Sequence, residues 1–513
     1  MEDMQLSNEI IVVGGGLAGC EAAYQIAKKG IKVKMYEMKP VNYSPAHSSE
    51  NLAEIVCSNS FKSNLLTNAC GLLKEELRKM NSLLIKIADE TSVPAGQALA
   101  VDRDIFSEKV TEAIEKNPNI EIIRNEVGSA ITLKELAKNH IVIIATGPLT
   151  SDNLSKEILE ITGENDLHFF DAAAPIIEKN SINFDIAFYG DRYEEERKKD
   201  ETEEHWRERI ANYKKIVDCQ EKNDAFETGS NEKTVDCEEK DISSEVQNTE
   251  RTDTGSYINL PMNKEEYENF YNELVNAEKV TLHDFEKKEI FEGCMPVEVM
   301  ATRGKDTLRF GPLKPVGFDD PRTGRRPYAL IQLRQDNSQA TLYNLVGFQT
   351  NLKFGEQKRV FSMIPGLENA EFAKYGVMHR NTYINSTKLL DSTYNLKQNN
   401  NIYFAGQITG VEGYVESISS GLVAGINAAN QLISNILNEK IYSGEKVEDS
   451  KITFDENTVI GALAKYISTE NEKFQPMNAN FGILPPLNEE IRDKKLKYQK
   501  MSERSLKLFE NKI

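Results

Sequence analysis

The sequence predicts an α/β fold organised around a parallel sheet, and three observations predict it. Short apolar runs at Ile10-Ile11-Val12-Val13, in HIVIIATGP (140–148) and in NIYFAGQITG (from Asn401) each lead into glycine. Helical periodicity follows the first and the third run. Strands that alternate with helices in this way pair in parallel, because parallel neighbours need a crossover between them.

The first 40 residues read as one βαβ unit. Ile10 to Val13 is a short buried strand, LAGCEAAYQIAKK an amphipathic helix, Gly30 its stop, and Ile31 to Tyr36 a second strand. Between strand and helix, Gly14-Gly15-Gly16-Leu17-Ala18-Gly19 gives GxGxxG at Gly14, Gly16 and Gly19. The first glycine permits a tight turn, the second lets a pyrophosphate approach the backbone, and the third lets helix pack on strand. Free N–H groups at the helix start then face the phosphates. Glu37 closes the second strand, about 20 residues on, where an acid that binds ribose belongs. A further helical pattern runs from Leu72 to Leu84.

The two later runs select FAD among dinucleotides. IVIIATG, ending at Gly147, resembles the strand-and-turn of two-dinucleotide flavoproteins. NIYFAGQITG with the helix ESISSGLVAGINAANQLI resembles their late flavin-contacting element, which puts Gly406 and Gln407 at the cofactor. Many such proteins have Gly-Asp there, so Gln407 is a departure. A helix N-terminus aimed at the flavin ring stabilises negative charge on it. The expected architecture is a Rossmann-like FAD-binding domain of the two-dinucleotide flavoprotein type (1–180 and 335–440), a smaller α+β insertion domain (181–334), and a C-terminal helical segment (441–513).

Composition narrows the class. A chain of 513 residues, 39% apolar and 28% charged, suits a soluble protein of several domains. The acidic, polar start is unlike a signal peptide, and no apolar run approaches the roughly 18 residues of a membrane span, so a cytoplasmic location is expected. The net charge of −19 argues against a nucleic-acid partner until it is located. The segment 194–252 is dense in acidic residues, poor in apolar ones, and carries roughly half of that charge. Elsewhere cations gather at Arg322, Arg325 and Arg326, at Lys353, Lys358 and Arg359, and in the tail at Lys494, Lys495, Lys497 and Lys500.

The six cysteines (Cys20, Cys57, Cys70, Cys219, Cys237 and Cys294) form no CxxC pair and no ligand spacing with histidine. No structural metal and no disulfide framework is therefore expected. Each is a small buried hydrophobe unless its surroundings say otherwise. Cys20 and Cys70 read as packing residues, and Cys219 and Cys237 fall in the acidic segment.

GGGLAGCEAAYQIAKKG, AEIVCSNSFKSN, ADETSVPAGQALAVDR, FEGCMPVEVMATRG, YNLVGFQTNLKFGEQKRV, YGVMHRNTYIN, FAGQITGVEGYVES and FQPMNANFG together resemble the folate- and FAD-dependent tRNA (uracil-5-)-methyltransferases, over nearly the whole chain. Two departures stand out: the long acidic block between Tyr193 and Tyr257, and Leu260 in YINLPM where cysteine is frequent. The resemblance implies methylation at C5 of the T-loop uridine of tRNA, position 54. Methylenetetrahydrofolate would give the carbon, reduced FAD the electrons, and NAD(P)H would recharge the flavin.

Uracil C5 is a poor nucleophile while its ring stays conjugated. A thiolate adding at C6 breaks the conjugation and leaves carbanion character at C5. The resemblance carries Cys294 in FEGCMP into the role of that nucleophile, and Cys57 in EIVCSNS into that of general base or protector of the activated carbon. Gly293 and Pro296 would shape the turn that presents Cys294. His379, Arg380 and Asn381 become candidates for flavin and folate contacts, Arg103 in AVDRD for cofactor support. His47 has no stronger claim than other histidines, and Tyr343 and Phe348 read as core aromatics. The cations at Arg322, Arg325, Arg326, Lys353, Lys358 and Arg359 are candidates for RNA phosphates, with salt-dependent binding. The buried T-loop uridine would have to be exposed or flipped. Alternatives are the same chemistry on 23S ribosomal RNA, a plain NAD(P)H-dependent flavin oxidoreductase, which would want a cysteine pair near the flavin, and a flavin-bound RNA-binding scaffold.

Overall fold

The structure is a computed structural model and describes residues 7–163, 167–191, 257–280, 295–440, 451–472 and 474–510. Cys294, Cys219, Cys237 and the acidic segment 194–252 lie outside them.

The first sheet has six strands in the order Asn395–Leu396, Asn399–Phe404, Ile141–Ile144, Glu9–Val13, Lys32–Glu37 and Ile120–Arg124. All neighbours are parallel except the first pair, a hairpin. Ile10 to Val13 and Ile141 to Ile144 are continuous β-branched runs because helices cover both faces of the sheet, and all eight residues are buried. The helix Leu17–Ala27 lies against the long helix Tyr414–Lys440, where the small residues Ala18, Ala22, Gly421 and Gly425 meet.

A second, antiparallel sheet collects Phe188–Tyr189, Tyr257–Met262, Ala329–Gln335, Leu342–Leu345, Ile176–Glu178 and Phe372–Lys374, in that order. It has its own core, in which Leu260, Tyr343 and Phe348 are buried. These strands reach from Ile176 to Lys374, beyond the 181–334 bounds read from the sequence. The chain passes between the two sheets through a two-stranded ribbon, Leu167–Ala172 paired antiparallel with Met378–Tyr383.

The helical pattern over Leu72–Leu84 is two helices, Ala69–Lys79 and Leu83–Glu90. Asn81 takes a left-handed φ of 56°, and the Ser82 hydroxyl caps the second helix by accepting from the Ile85 N–H. After residue 450 the helices Val459–Ser468 and Lys494–Glu510 fold back onto Ala69–Lys79. Glu76, fully buried, joins all three: its carboxylate accepts from the Val459 and Ile460 N–H groups (2.8 and 2.9 Å) and from Ser505 Oγ (2.6 Å). Among the described residues, no helix is long and apolar enough to cross a membrane, and no group of three or more His, Cys, Asp or Glu is arranged to hold a metal ion.

Candidate active site: a dinucleotide cleft and the Cys57 loop

The glycine turn is built by close approach. Gly14 has φ +106°, and a Cβ there would sit 2.5 Å from the Ala145 carbonyl oxygen. A Cβ on Gly19 would lie 1.8 Å from the Gly14 carbonyl oxygen, so only glycine lets the helix start this near the strand. Gly16 occupies the N-cap position and offers no side-chain oxygen to the N–H groups of the first turn. Those donors are left for an anion.

The turn opens into a cleft of about 1110 Å³, its open mouth included. Gly14, Gly15, Gly16, Leu17, Ala18, Glu37, Gly147, Gly406 and Gln407 all border it, and Gly19 packs behind. Glu37 is buried, with Oε2 accepting from the Gly15 N–H at 2.8 Å and Oε1 from the Lys39 N–H at 3.0 Å. At the other end the Gly406 N–H donates to Ser420 Oγ (2.6 Å), and Gln407 Nε2 donates to Glu412 (2.6 Å). Tyr414 and Ser417, in the first turn of the long helix, also line the cleft, so that N-terminus opens onto it. The glycine cradle, the uncapped helix start and the acid at the end of the second strand fit a bound dinucleotide laid from Glu37 to Gly406.

Two basic groups border the cleft that the sequence did not single out for it. Lys39 donates to the Asn51 carbonyl at 2.6 Å and pairs with Glu54 at 3.3 Å. His47 lies 2.5 Å from Ser44 Oγ; burial, then the Lys39 charge, push its pKa below the usual histidine value. For Glu54, burial is outweighed by the Ser48 and Ser49 N–H groups and by Lys39 and His47, which hold its carboxyl low.

Cys57 is half-buried beside Tyr414. Its N–H donates to Tyr414 Oη at 3.0 Å, and its Sγ lies 3.9 Å from the Ala172 carbonyl oxygen on the ribbon. The opposite ribbon strand carries His379, Arg380 and Asn381, whose backbone pairs with Asp171, Phe170 and Phe169. Asn381 is buried; the side chains of His379 and Arg380 lie outside the described ones. Thus the Cys57 loop and the YGVMHRNTYIN motif meet at one ribbon.

Arg103, expected at the cofactor, does not line the cleft. It forms a pair with Asp336 and donates to the Ile55 and Cys57 carbonyls (3.1 and 3.0 Å), behind the Cys57 loop. Beyond Cys294 the chain is firmly held: Val297 donates to the Gln349 carbonyl at 2.7 Å, and buried Glu298 accepts from Thr350 Oγ1 and the Asn351 N–H. Cys20 and Cys70 are buried; burial pushes the Cys20 thiol far up and the Cys70 thiol up to about 11.

The RNA candidates divide. Arg322 is paired with Asp320, Lys353 with Glu278, and Arg359 with Glu273 and Glu356. Arg325, Arg326 and Lys358 are exposed and make no ion pair among the described residues.

The model of the family "Glucose inhibited division protein A" matches residues 9–233 and 211–435. A protein of Acetivibrio thermocellus named methylenetetrahydrofolate–tRNA-(uracil-5-)-methyltransferase TrmFO is 53% identical over 98% of this chain and 97% of its own. A protein of the same name from Fusobacterium nucleatum is 51% identical over 99% of both chains. The solved structure of Aquifex aeolicus GidA in its form II crystal superposes with a TM-score of 0.60 over 99% of this chain and 74% of that one, at 15% identity, and so shares the fold. The chain belongs to the glucose-inhibited-division-protein-A family and, within it, to the methylenetetrahydrofolate–tRNA-(uracil-5-)-methyltransferases.

Proposed function

We propose that this chain methylates C5 of the T-loop uridine at position 54 of tRNA, taking its carbon from methylenetetrahydrofolate. Identity of 53% across 98% of the chain to a protein of that name carries the reading. Bound FAD, once reduced by NAD(P)H, supplies the two electrons that bring a carbon at the formaldehyde level to a methyl group. The chain's own work is to bind, orient and activate. Gly14 to Gly19 and Glu37 hold the dinucleotide, while Gly147, Gly406, Gln407 and the N-terminus at Tyr414 face its far end. Cys294 adds as thiolate to uracil C6, which moves electron density to C5. After C5 has bonded to the folate-derived carbon, a base takes the C5 proton as the bond from that carbon to the folate nitrogen breaks and tetrahydrofolate leaves. Once the carbon has taken up the two electrons and become methyl, the sulfur leaves C6 and the ring double bond is restored.

Cys57 is the candidate for that base or for guarding the activated carbon. It lies beside Tyr414, which borders the cleft, with Arg103, Arg334 and Lys374 in electrostatic reach, a setting of the kind in which thiolates persist. His379, Arg380 and Asn381 are the candidates for the folate. Exposed Arg325, Arg326 and Lys358 are the better-placed phosphate contacts, because Arg322, Lys353 and Arg359 already have carboxylate partners. Such an enzyme works where tRNA is, in the cytoplasm.

The test is a reaction of purified protein with the folate donor, NAD(P)H and unmodified tRNA transcript. Ribothymidine is expected, and none with Cys294→Ala. Product on 23S ribosomal RNA alone would replace the substrate. Rapid NAD(P)H oxidation without product on either RNA would replace the reaction by plain flavin oxidoreduction.

A further inference from the structure

We propose that Arg103, Arg334 and Asp336 form a clamp that fixes the Cys57 loop and sets the charge around its thiol. They are positioning residues for the reaction above, and the inference rests on that reading in taking Cys57 as a working thiol. Arg103 opens the helix Arg103–Glu115 of the first sheet's half of the molecule, whereas Arg334 and Asp336 stand at the end of strand Ala329–Gln335 in the second sheet.

The main chain at Cys57 is held from both sides. Its N–H goes to Tyr414 Oη, and its carbonyl accepts from Arg103 Nη2. The same guanidinium reaches the Ile55 carbonyl through Nη1, so one planar group grips two carbonyls two residues apart. Asp336, buried, accepts from Arg103 Nε and Nη2 at 3.1 and 2.9 Å and keeps the fork in place. Next along the loop, Arg334 donates to Ser58 Oγ and, at 3.0 Å, to Asn59 Oδ1. Asn59 is itself fully buried and donates to the Gln335 and Val101 carbonyls at 2.9 and 3.0 Å. Both backbone groups of Cys57 are thus engaged, which fixes where its side chain starts.

The partners of Arg334 carry the electrostatic half. Arg334 is 7% exposed as a residue, and its hydrogen-bond acceptors, a hydroxyl and an amide, are neutral. Among the described residues it has no carboxylate at ion-pair distance. A buried cation with neutral partners is costly unless an anion lies near. The neighbouring acid, Asp336, already serves Arg103. A thiolate at Cys57, one residue before Ser58, would supply the missing charge. Among the described residues, the groups around Cys57 include Arg103 and Asp336, Arg334 beyond Ser58, Lys374 on the edge strand, Tyr414 on the long helix and the Ala172 carbonyl at 3.9 Å; Tyr257 lies in electrostatic reach of Arg334. Three cations among the described residues stand against one carboxylate.

The experiment is iodoacetamide alkylation of the purified full chain from pH 5 to 10, with labelling at Cys57 followed by peptide mass spectrometry. Arg334→Gln removes a cation and should raise the midpoint of the alkylation profile by about one pH unit. Asp336→Asn keeps the acceptor for Arg103 but removes the negative charge, and should lower it by a comparable amount. Opposite displacements cannot come from a loop that has merely loosened. Midpoints that stay within about 0.3 unit of wild type, or that both move the same way, overturn the clamp. If Arg334→Gln does not fold, Arg334→Lys takes its place and must leave the midpoint unmoved while Asp336→Asn lowers it. Methylation of tRNA is scored separately. Full methylation with unmoved midpoints overturns the clamp alone, whereas opposed displacements without methylation overturn the reading it rests on.

Discussion

Glu76 makes docking of the C-terminal helices depend on pH, and the size of the effect follows from its surroundings. The carboxyl has no exposure, and burial raises its pKa from 4.5 to about 7, against the opposing help of Ser505 and the Val459 and Ile460 N–H groups. At about 1.4 kcal/mol per tenfold, that displacement makes ionised Glu76 worth roughly 3 kcal/mol less in the folded state. A carboxyl whose folded pKa is raised gives stability that is complete below the unfolded value, near 4.5, and is lost as pH rises through about 7. Glu76→Gln removes the titration, but it turns an amide N–H₂ towards one of the two helix N–H groups and loses that bond, at about 1–3 kcal/mol. Wild type should therefore hold the segment more tightly at pH 5, with the advantage shrinking or reversing by pH 8.5. Hydrogen exchange at the Val459 and Ile460 amides, corrected for intrinsic rates, reads this directly. Parallel curves for the two proteins across that range would refute the reasoning.

Three further expectations concern the site. Gly19→Ala puts a Cβ 1.8 Å from the Gly14 carbonyl, so the helix must retreat by about 1.4 Å at a cost of about 1–3 kcal/mol; purified protein should show reduced flavin absorbance, and full occupancy would count against the cradle. Of the described cysteines, Cys57 should be alkylated first in native protein, ahead of buried Cys20 and Cys70, as peptide mapping would reveal; equal labelling would contradict the assigned environments. Changing Arg325 and Arg326 to Gln together should weaken tRNA binding and lower the salt slope by up to about two, and an unchanged slope would place the phosphates elsewhere.

Local signals carried much of this into the sequence. The GxGxxG turn, the buried β-branched runs and Glu37 depend on neighbours a few residues away, and each sits where the pattern placed it. Signals that depend on tertiary contact did not show. Arg334 and Asn59 are 275 positions apart and carry no shared spacing, although their hydrogen bond ties the second sheet to the Cys57 loop. Tyr414 was visible only as part of a helix-leading motif, without its bond to Cys57. Arg103 lies in a motif that suggested the cofactor, yet its guanidinium is taken by Asp336 and two carbonyls. The break at Asn81 was legible in Asn-Ser, a turn residue followed by a cap, but apolar periodicity on both sides hid it. The strands of the second sheet are short and scattered from Ile176 to Lys374, so no single window outlines them.

The central claim is that this chain moves a folate carbon onto C5 of a tRNA uridine. Methylenetetrahydrofolate labelled in its methylene carbon, supplied with NAD(P)H and unmodified tRNA, tests it most directly. The account predicts the label in the methyl group of ribothymidine at position 54, and none when Cys294→Ala replaces the wild type. Ribothymidine without label, or label confined to ribosomal RNA, would contradict it.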